Sequence, residues 1–236
     1  MRGIGLRKTD EALTFEQGGS WSACSLRGPS RPWNADALAV VEAGRRRAFA
    51  VADGVGALAL SPAASRAAVD AAARWACGTR GIARPDAAAL VREVNEAVRR
   101  AVTMPSDGAT TLVCALVDQR RAAVVSVGDS EVFAVDEAGA IARINPLDHV
   151  PAQPNLLLAW IDGDTEIEPH VTMLEHMPAR LVLLTDGVTR VLGEEIIGRI
   201  ASGDAREAAR DLVLAAQAAG ADDDATAVVL TGAVRP

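Results

Sequence analysis

The sequence predicts an α+β protein with antiparallel strands, and three observations support this class. Short β-rich apolar segments occur near both ends of the chain and in its middle. Alanine-rich segments with helical spacing lie between them, and polar turns such as residues 118–121 join neighbouring strand segments. We see no internal repeat or linker in the 236 residues, so we expect one domain over residues 1–236.

The first part of the chain, from about residue 13 to residue 52, is predicted as strands separated by turns. The candidate strands are residues 21–26, 35–42 and 48–52. Residues 27–36 between the first two are rich in proline, glycine and serine, which is typical of a loop. This loop is expected to bring Arg31, Asn34 and Asp36 close together at a strand edge.

Two helices are predicted next, followed by more strands. The first begins at Ser61, as its N-cap, with Pro62 in the first helical position, and the second follows Pro85 and Asp86. Residues 109–144 are predicted as a meander of antiparallel strands, whereas residues 145–179 show no sustained periodicity. The remaining predicted elements are a strand at 180–185, helices at 194–201 and 205–219, and a strand at 225–231.

Composition excludes several classes of protein. The formal net charge of −7 argues against nucleic-acid binding through phosphate neutralisation. The three cysteines, Cys24, Cys77 and Cys114, lie far apart in apolar surroundings, which favours buried thiols in a reducing compartment. With no signal peptide in the first residues and no membrane-spanning stretch, we expect a cytoplasmic protein.

Acidic residues follow several of the predicted strands. Asp53-Gly54 and Asp186-Gly187 each end an apolar strand, residues 222–224 precede the last strand, and Asp36 and Asp129 lie at further strand junctions. If these carboxylates converge, divalent cations would remove their mutual repulsion, and oxygen ligands favour Mg²⁺ or Mn²⁺ over Zn²⁺. His149, His170 and His176 fit no zinc spacing. The alternative is a sandwich whose turns are acidic without binding a metal.

Six short motifs resemble, in order, those of the metal-dependent serine/threonine phosphatases of the PP2C (PPM) type, in their bacterial form. The family motifs are R-x-x-N-E-D, V-A-D-G-M-G-G, G-T-T, V-G-D-S-R, L-x-S-D-G-L and D-N-x-T. The matching segments are Arg31-x-x-Asn34-x-Asp36 and residues 51–56, 108–111, 127–130, 184–188 and 223–226. Each motif is common by chance, but six in order form a strong signal.

The resemblance implies a four-layer α-β-β-α sandwich, in which two packed antiparallel sheets are flanked by helices. It also implies two Mn²⁺ or Mg²⁺ ions per active site and hydrolysis of phosphoserine or phosphothreonine by a metal-bridging hydroxide. By position, the metal ligands would be Asp53, the Gly54 carbonyl, Asp186 and Asp223, with Asp129 as a weak candidate for a third ion.

The resemblance gives Asp36 and Arg31 catalytic roles. Asp36 would orient the attacking water, and Arg31 would hold the substrate phosphate. The expected partner is a Ser/Thr-phosphorylated protein in a pathway with a Ser/Thr kinase, and neither nucleic acid nor membrane is expected as a partner.

The chain departs from the family pattern at four places. Ala35 replaces the usual Glu, Val55 stands where some members carry His, and Arg190 stands where members with a third metal carry Asp. Residues 145–179 are also short for the family's flap, which suggests an open, shallow cleft. Ala35 and Arg190 motivate an alternative function, a catalytically inactive regulator with the same fold that binds a phosphoprotein.

Overall fold

The computed structural model describes residues 13–44, 46–56, 58–78, 86–118, 120–150 and 152–232. Two parts of the sequence analysis fall outside these residues: the first 12 residues, where no signal peptide was found, and Pro85. The strands are β1 (Leu13–Gly18), β2 (Trp21–Leu26), β3 (Ala37–Ala43), β4 (Arg46–Ala52), β5 (Leu112–Val117), β6 (Ala122–Val127), β7 (Glu131–Val135), β8 (Ile141–Arg143), β9 (His149–Val150), β10 (Gln153–Leu157), β11 (His170–Leu174), β12 (Arg180–Leu184) and β13 (Ala225–Thr231). The helices are α1 (Ser61–Gly78), α2 (Ala87–Ala101), α3 (Asp186–Thr189), α4 (Glu194–Ala201) and α5 (Ala208–Ala218).

Most strands belong to two antiparallel sheets. The six-stranded sheet has the order β1-β2-β13-β12-β7-β8, and the five-stranded sheet has the order β11-β6-β5-β4-β3. Strands β9 and β10 form a separate hairpin. Strands β2, β5, β6 and β13 are largely apolar because both of their faces are buried.

Three apolar clusters hold four layers together. The cluster between the sheets includes Trp21 and Leu183 from the six-stranded sheet and Phe49 and Val113 from the five-stranded sheet. A second cluster packs α1 and α2 on the five-stranded sheet, and a third packs α4 and α5 on the six-stranded sheet. The α-β-β-α sandwich implied by the resemblance is therefore confirmed.

The predicted meander over residues 109–144 is wrong as a single sheet. Strands β5 and β6 pair with each other in the five-stranded sheet, whereas β7 and β8 pair in the six-stranded sheet. The chain crosses between the sheets at Gly128-Asp129-Ser130, where the sequence indicated a strand junction at Asp129. This crossing brings Asp129 to the junction of the two sheets.

Two smaller predictions also need correction. Ser61 is the first residue of α1, and its hydroxyl donates to the Val55 carbonyl (2.8 Å), so it ties the helix to the Asp53–Gly56 turn instead of preceding the helix as a cap. Cys24 and Cys114 are buried as expected, but Cys77 is exposed. Its position in the last turn of α1 explains this, because the last fully buried residue of that helix is Ala73.

Candidate metal centre

Three carboxylates converge where the two sheets meet. Asp53 follows β4, Asp129 lies between β6 and β7, and Asp186 begins α3 directly after β12. One carboxylate oxygen from each residue lies within 4.8 Å of the others. Asp129 and Asp186 are 8% and 9% exposed, so two of the three carboxylates are largely removed from water, whereas Asp53 is half-buried.

The backbone of Asp53 is fixed by the Gly108–Thr111 segment. The Asp53 N–H donates to the Thr111 hydroxyl (3.0 Å), and its carbonyl accepts from the Thr110 hydroxyl and the Thr111 N–H (both 2.9 Å). A Cβ on Gly54 would lie 2.7 Å from the Ala35 carbonyl oxygen, so only glycine fits after Asp53. Thr110 and Thr111 belong to the segment that matched the family motif G-T-T, but the motif alone indicated no role for them.

The carboxylates destabilise one another's charged forms. Burial raises the pKa of Asp53 well above its ordinary value, and the charges of Asp186, Asp36 and Asp129 raise it further. Burial and the charge of Asp186 also raise the pKa of Asp129, to about 6. Divalent cations would relieve this repulsion, and an all-oxygen donor set suits Mg²⁺ or Mn²⁺. The residues present therefore fit the metals that the sequence analysis expected.

Two arginines stand beside the predicted ligands. Asp223 lies next to the three-carboxylate cluster, in an ion pair with Arg31 (2.5 Å). Arg190 pairs with Asp186, and its positive charge also opposes the rise in the pKa of Asp129. Both guanidinium groups are partly exposed, with side-chain exposures of 30% for Arg31 and 42% for Arg190.

Asp36 lies in a buried hydroxyl network behind the cluster. Its Oδ2 accepts from the hydroxyls of Thr185 (2.8 Å) and Thr226 (2.6 Å), whereas its Oδ1 is buried without a partner. Burial and the charge of Asp224 raise the pKa of Asp36 well above its ordinary value. A buried carboxylate oxygen without a partner fits a position that accepts a hydrogen bond from water.

Sequence reasoning missed the function of Asp224. Its Oδ1 accepts from the Gly28 N–H (2.8 Å), and its Oδ2 accepts from the Ala35 N–H (2.7 Å). Asp224 thus holds both ends of the loop that carries Arg31. The only available signal was its place in the 222–224 acidic run, where the sequence analysis gave a metal-binding role to Asp223 alone.

None of the three histidines belongs to the carboxylate cluster. The His170 Nε2 lies 2.7 Å from the Asp148 Oδ1. Within the described residues, no helix is both long and apolar enough to span a membrane.

Comparisons with known proteins agree with this geometry. A model of the family described as protein phosphatase 2C matches residues 31–222. No curated protein matches the chain. The serine/threonine phosphatase Stp1 from Staphylococcus aureus superposes with a TM-score of 0.79 at 17% identity, covering 98% of this chain and 99% of that chain.

Two further structures are more similar in sequence. The PPM Ser-Thr phosphatase MsPP from Mycobacterium smegmatis, in complex with cacodylate, has 25% identity, a TM-score of 0.78, and coverage of 92% of this chain and 99% of that chain. The catalytic domain of PstP, in complex with two manganese ions, has 28% identity, a TM-score of 0.76, and coverage of 93% and 98%. Since the family match spans most of the chain, the chain belongs to the protein phosphatase 2C family of metal-dependent serine/threonine phosphatases.

Proposed function

We propose that this enzyme hydrolyses phosphoserine and phosphothreonine in proteins at a centre of two Mn²⁺ or Mg²⁺ ions. The observation that carries the proposal is the cluster of Asp53, Asp129 and Asp186, whose oxygens lie within 4.8 Å of one another. Asp53, the Gly54 carbonyl, Asp186 and Asp223 would hold the two ions. The two manganese ions in the similar PstP catalytic domain support this assignment. When bound, such ions lower the pKa of water and neutralise phosphate charge.

Other residues of the chain would bind the substrate phosphate and orient the attacking water. The partly exposed guanidinium of Arg31 would bind the phosphate of the substrate, since its planar fork matches phosphate oxygens. Asp36 would orient the attacking water, because its Oδ1 is free to accept a hydrogen bond while two hydroxyls fix its Oδ2. Val55 has no proton to donate, so water would protonate the leaving alkoxide.

The number of ions is set by the charges around Asp129. A third ion at Asp129 would face Arg190, whose guanidinium already contacts Asp186. Two ions per site are therefore favoured over three. The cytoplasmic location and the pairing with a Ser/Thr kinase remain parts of this proposal.

The test is hydrolysis of a phosphothreonine peptide by metal-stripped protein, with Mn²⁺ added back over a concentration series. We expect Mn²⁺-dependent turnover that falls at least 100-fold in Asp53→Asn, because electrostatic stabilisation at the reacting phosphate is lost. Asp211 is an exposed residue of α5. The substitution Asp211→Asn is the matched control, and its turnover should equal that of wild type.

Two results would contradict the proposal. Equal turnover by wild type and Asp53→Asn would exclude a metal centre at Asp53. Folded wild-type protein that shows no turnover at any Mn²⁺ concentration would instead indicate the inactive regulator.

A further inference from the structure

Both backbone polar groups of Gly128, the residue before Asp129, are hydrogen-bonded to Asp148. The Asp148 N–H donates to the Gly128 carbonyl (3.0 Å), and the Asp148 Oδ2 accepts from the Gly128 N–H (2.9 Å). Asp148 lies 19 residues further along the chain than Asp129, between β8 and β9. Two hydrogen bonds from one residue fix both the position and the direction of the Gly128 backbone.

The opposite side of Gly128 is closed by Thr111. Gly128 has a φ of +98°, and a Cβ there would lie 2.6 Å from the Thr111 side chain. Thr111 is the residue whose hydroxyl accepts from the Asp53 N–H, and the same hydroxyl contacts the Ser130 hydroxyl (2.9 Å). The turn that carries Asp129 therefore lies between Thr111 on one side and Asp148 on the other.

His170 orients the Asp148 carboxylate. The His170 Nε2 lies 2.7 Å from the Asp148 Oδ1, which leaves Oδ2 aimed at the Gly128 N–H. His170 is the first residue of β11 and pairs with Ser126 of β6, so the five-stranded sheet holds it in place. The contact between His170 and Asp148 therefore joins the segment that follows β8 to the five-stranded sheet.

We propose that Asp148 is a positioning residue for the metal centre, which sets the Asp129 carboxylate against Asp53 and Asp186, with His170 as the residue that orients it. Asp148 is not a metal ligand in this account and acts only through the Gly128 peptide. The inference rests on the proposed function in one respect, because it takes the two ions to lie at Asp53 and Asp186, whose carboxylates Asp129 approaches within 4.8 Å without being a ligand of either ion. Residues outside the ligand shell that fix the surroundings of a metal site commonly change metal affinity by 10- to 100-fold when they are replaced.

The experiment measures Mn²⁺ binding to metal-stripped protein by titration calorimetry, independently of turnover. Asp148→Ala should weaken Mn²⁺ binding about tenfold or more. Asp148→Asn should keep most of the affinity, since its amide oxygen still accepts from the Gly128 N–H. His170→Ala should cause a smaller loss, because Gly128 keeps its partner.

The matched control is Asp136→Ala at the opposite end of β7. The Asp136 carboxylate also accepts from two backbone N–H groups, of Ala138 (2.8 Å) and Ala140 (2.9 Å), but in a turn outside the metal centre. A residue with a merely structural role would lower the thermal stability in both variants without a selective effect on Mn²⁺. We expect only Asp148→Ala and His170→Ala to need more Mn²⁺ for half-maximal activity, and we expect the KM for phosphopeptide at saturating Mn²⁺ to be unchanged in both.

The outcomes separate this inference from the proposed function. Wild-type Mn²⁺ affinity in folded Asp148→Ala, or in folded His170→Ala if Asp148→Ala does not fold, overturns the positioning role. Wild-type protein that binds Mn²⁺ but hydrolyses no phosphopeptide contradicts the proposed function alone, because the affinities of the variants still test Asp148.

Discussion

At the scale of single residues, Arg190 brings a positive charge into a group of carboxylates that otherwise repel one another. It pairs with Asp186 four residues earlier and lowers the pKa of that carboxyl, against the larger upward effect of burial. In metal-free protein this charge stabilises the cluster, whereas for an arriving cation it is a competitor.

We therefore expect Arg190→Gln to have opposite effects on the two forms of the protein. Without metal, its melting temperature should fall, corresponding to a loss of about 0.5–1 kcal/mol for a partly exposed ion pair. With Mn²⁺, its affinity should rise and its melting temperature should increase more than that of wild type. Thermal unfolding in chelator and in a Mn²⁺ series measures both effects.

The control for Arg190→Gln is Arg100→Gln. Arg100 forms an ion pair with Glu96 at the same four-residue spacing (3.2 Å) but on the exposed surface of α2. Its substitution should leave the Mn²⁺ dependence of melting unchanged. Weaker Mn²⁺ binding by Arg190→Gln would show that the arginine supports the ion instead of competing with it.

The candidate ligands could be found from the sequence, but their supports could not. Asp53 and Asp186 share a local pattern, an apolar strand followed by Asp-Gly, which is defined by a few consecutive residues. The roles of Asp224 and Asp148 depend on hydrogen bonds to Gly28 and Gly128, which are 196 and 20 residues away along the chain. Local patterns carry no information on such contacts.

At the scale of elements, α3 and β13 approach too closely for a side chain at Gly187. A Cβ at this position would collide with the Asp224 carbonyl oxygen, which belongs to the backbone and cannot move aside. The contact places the start of α3, with Asp186, against the residue that holds the loop carrying Arg31.

We expect Gly187→Ala to destabilise the protein by about 1–3 kcal/mol, the usual cost of overpacking a buried site. It should also reduce phosphatase activity, because the displaced Asp224 would release the Arg31 loop. Chemical denaturation and phosphopeptide hydrolysis measure the two effects. Gly193→Ala, with nothing within 4 Å of the added Cβ, should lose little of either. Equal stability of the two variants would contradict the close packing of α3 and β13.

Element positions were easier to predict than element partners. The predicted bounds of β2, α4 and β13 agree with the structure, because each has a continuous apolar or periodic pattern with clear ends. The sheet to which a strand belongs is a long-range property, which explains why the predicted meander was wrong. Strand β11 was missed because its residues are only partly buried at a sheet edge, and this weakens the hydrophobic pattern.

At the scale of the whole molecule, the sandwich buries acidic groups where its two sheets meet. The pKa of Asp129 rises from 3.8 to about 6, chiefly through burial, and the pKa values of Asp36 and Asp53 rise well above 3.8. Between these values the folded protein keeps protons that the unfolded chain has lost. The contribution of these carboxyl groups to the free energy of unfolding of metal-free protein therefore falls as the pH rises through this window.

We accordingly expect these carboxyl groups to contribute most to the stability of metal-free protein at and below pH 3.8, and to lose that contribution progressively as the pH rises toward 7. Mn²⁺ should act in the opposite sense, since it binds ionised carboxylates and its stabilisation grows as they lose protons. The difference in melting temperature between Mn²⁺ and chelator should widen from pH 5 to pH 7.5.

Asp129→Asn removes one titrating group, so the stability of this variant without metal should depend less on pH between 4 and 6. The melting temperature in chelator could instead rise with pH over this range in both wild type and Asp129→Asn. That result would contradict the inference that these carboxylates repel one another in metal-free protein.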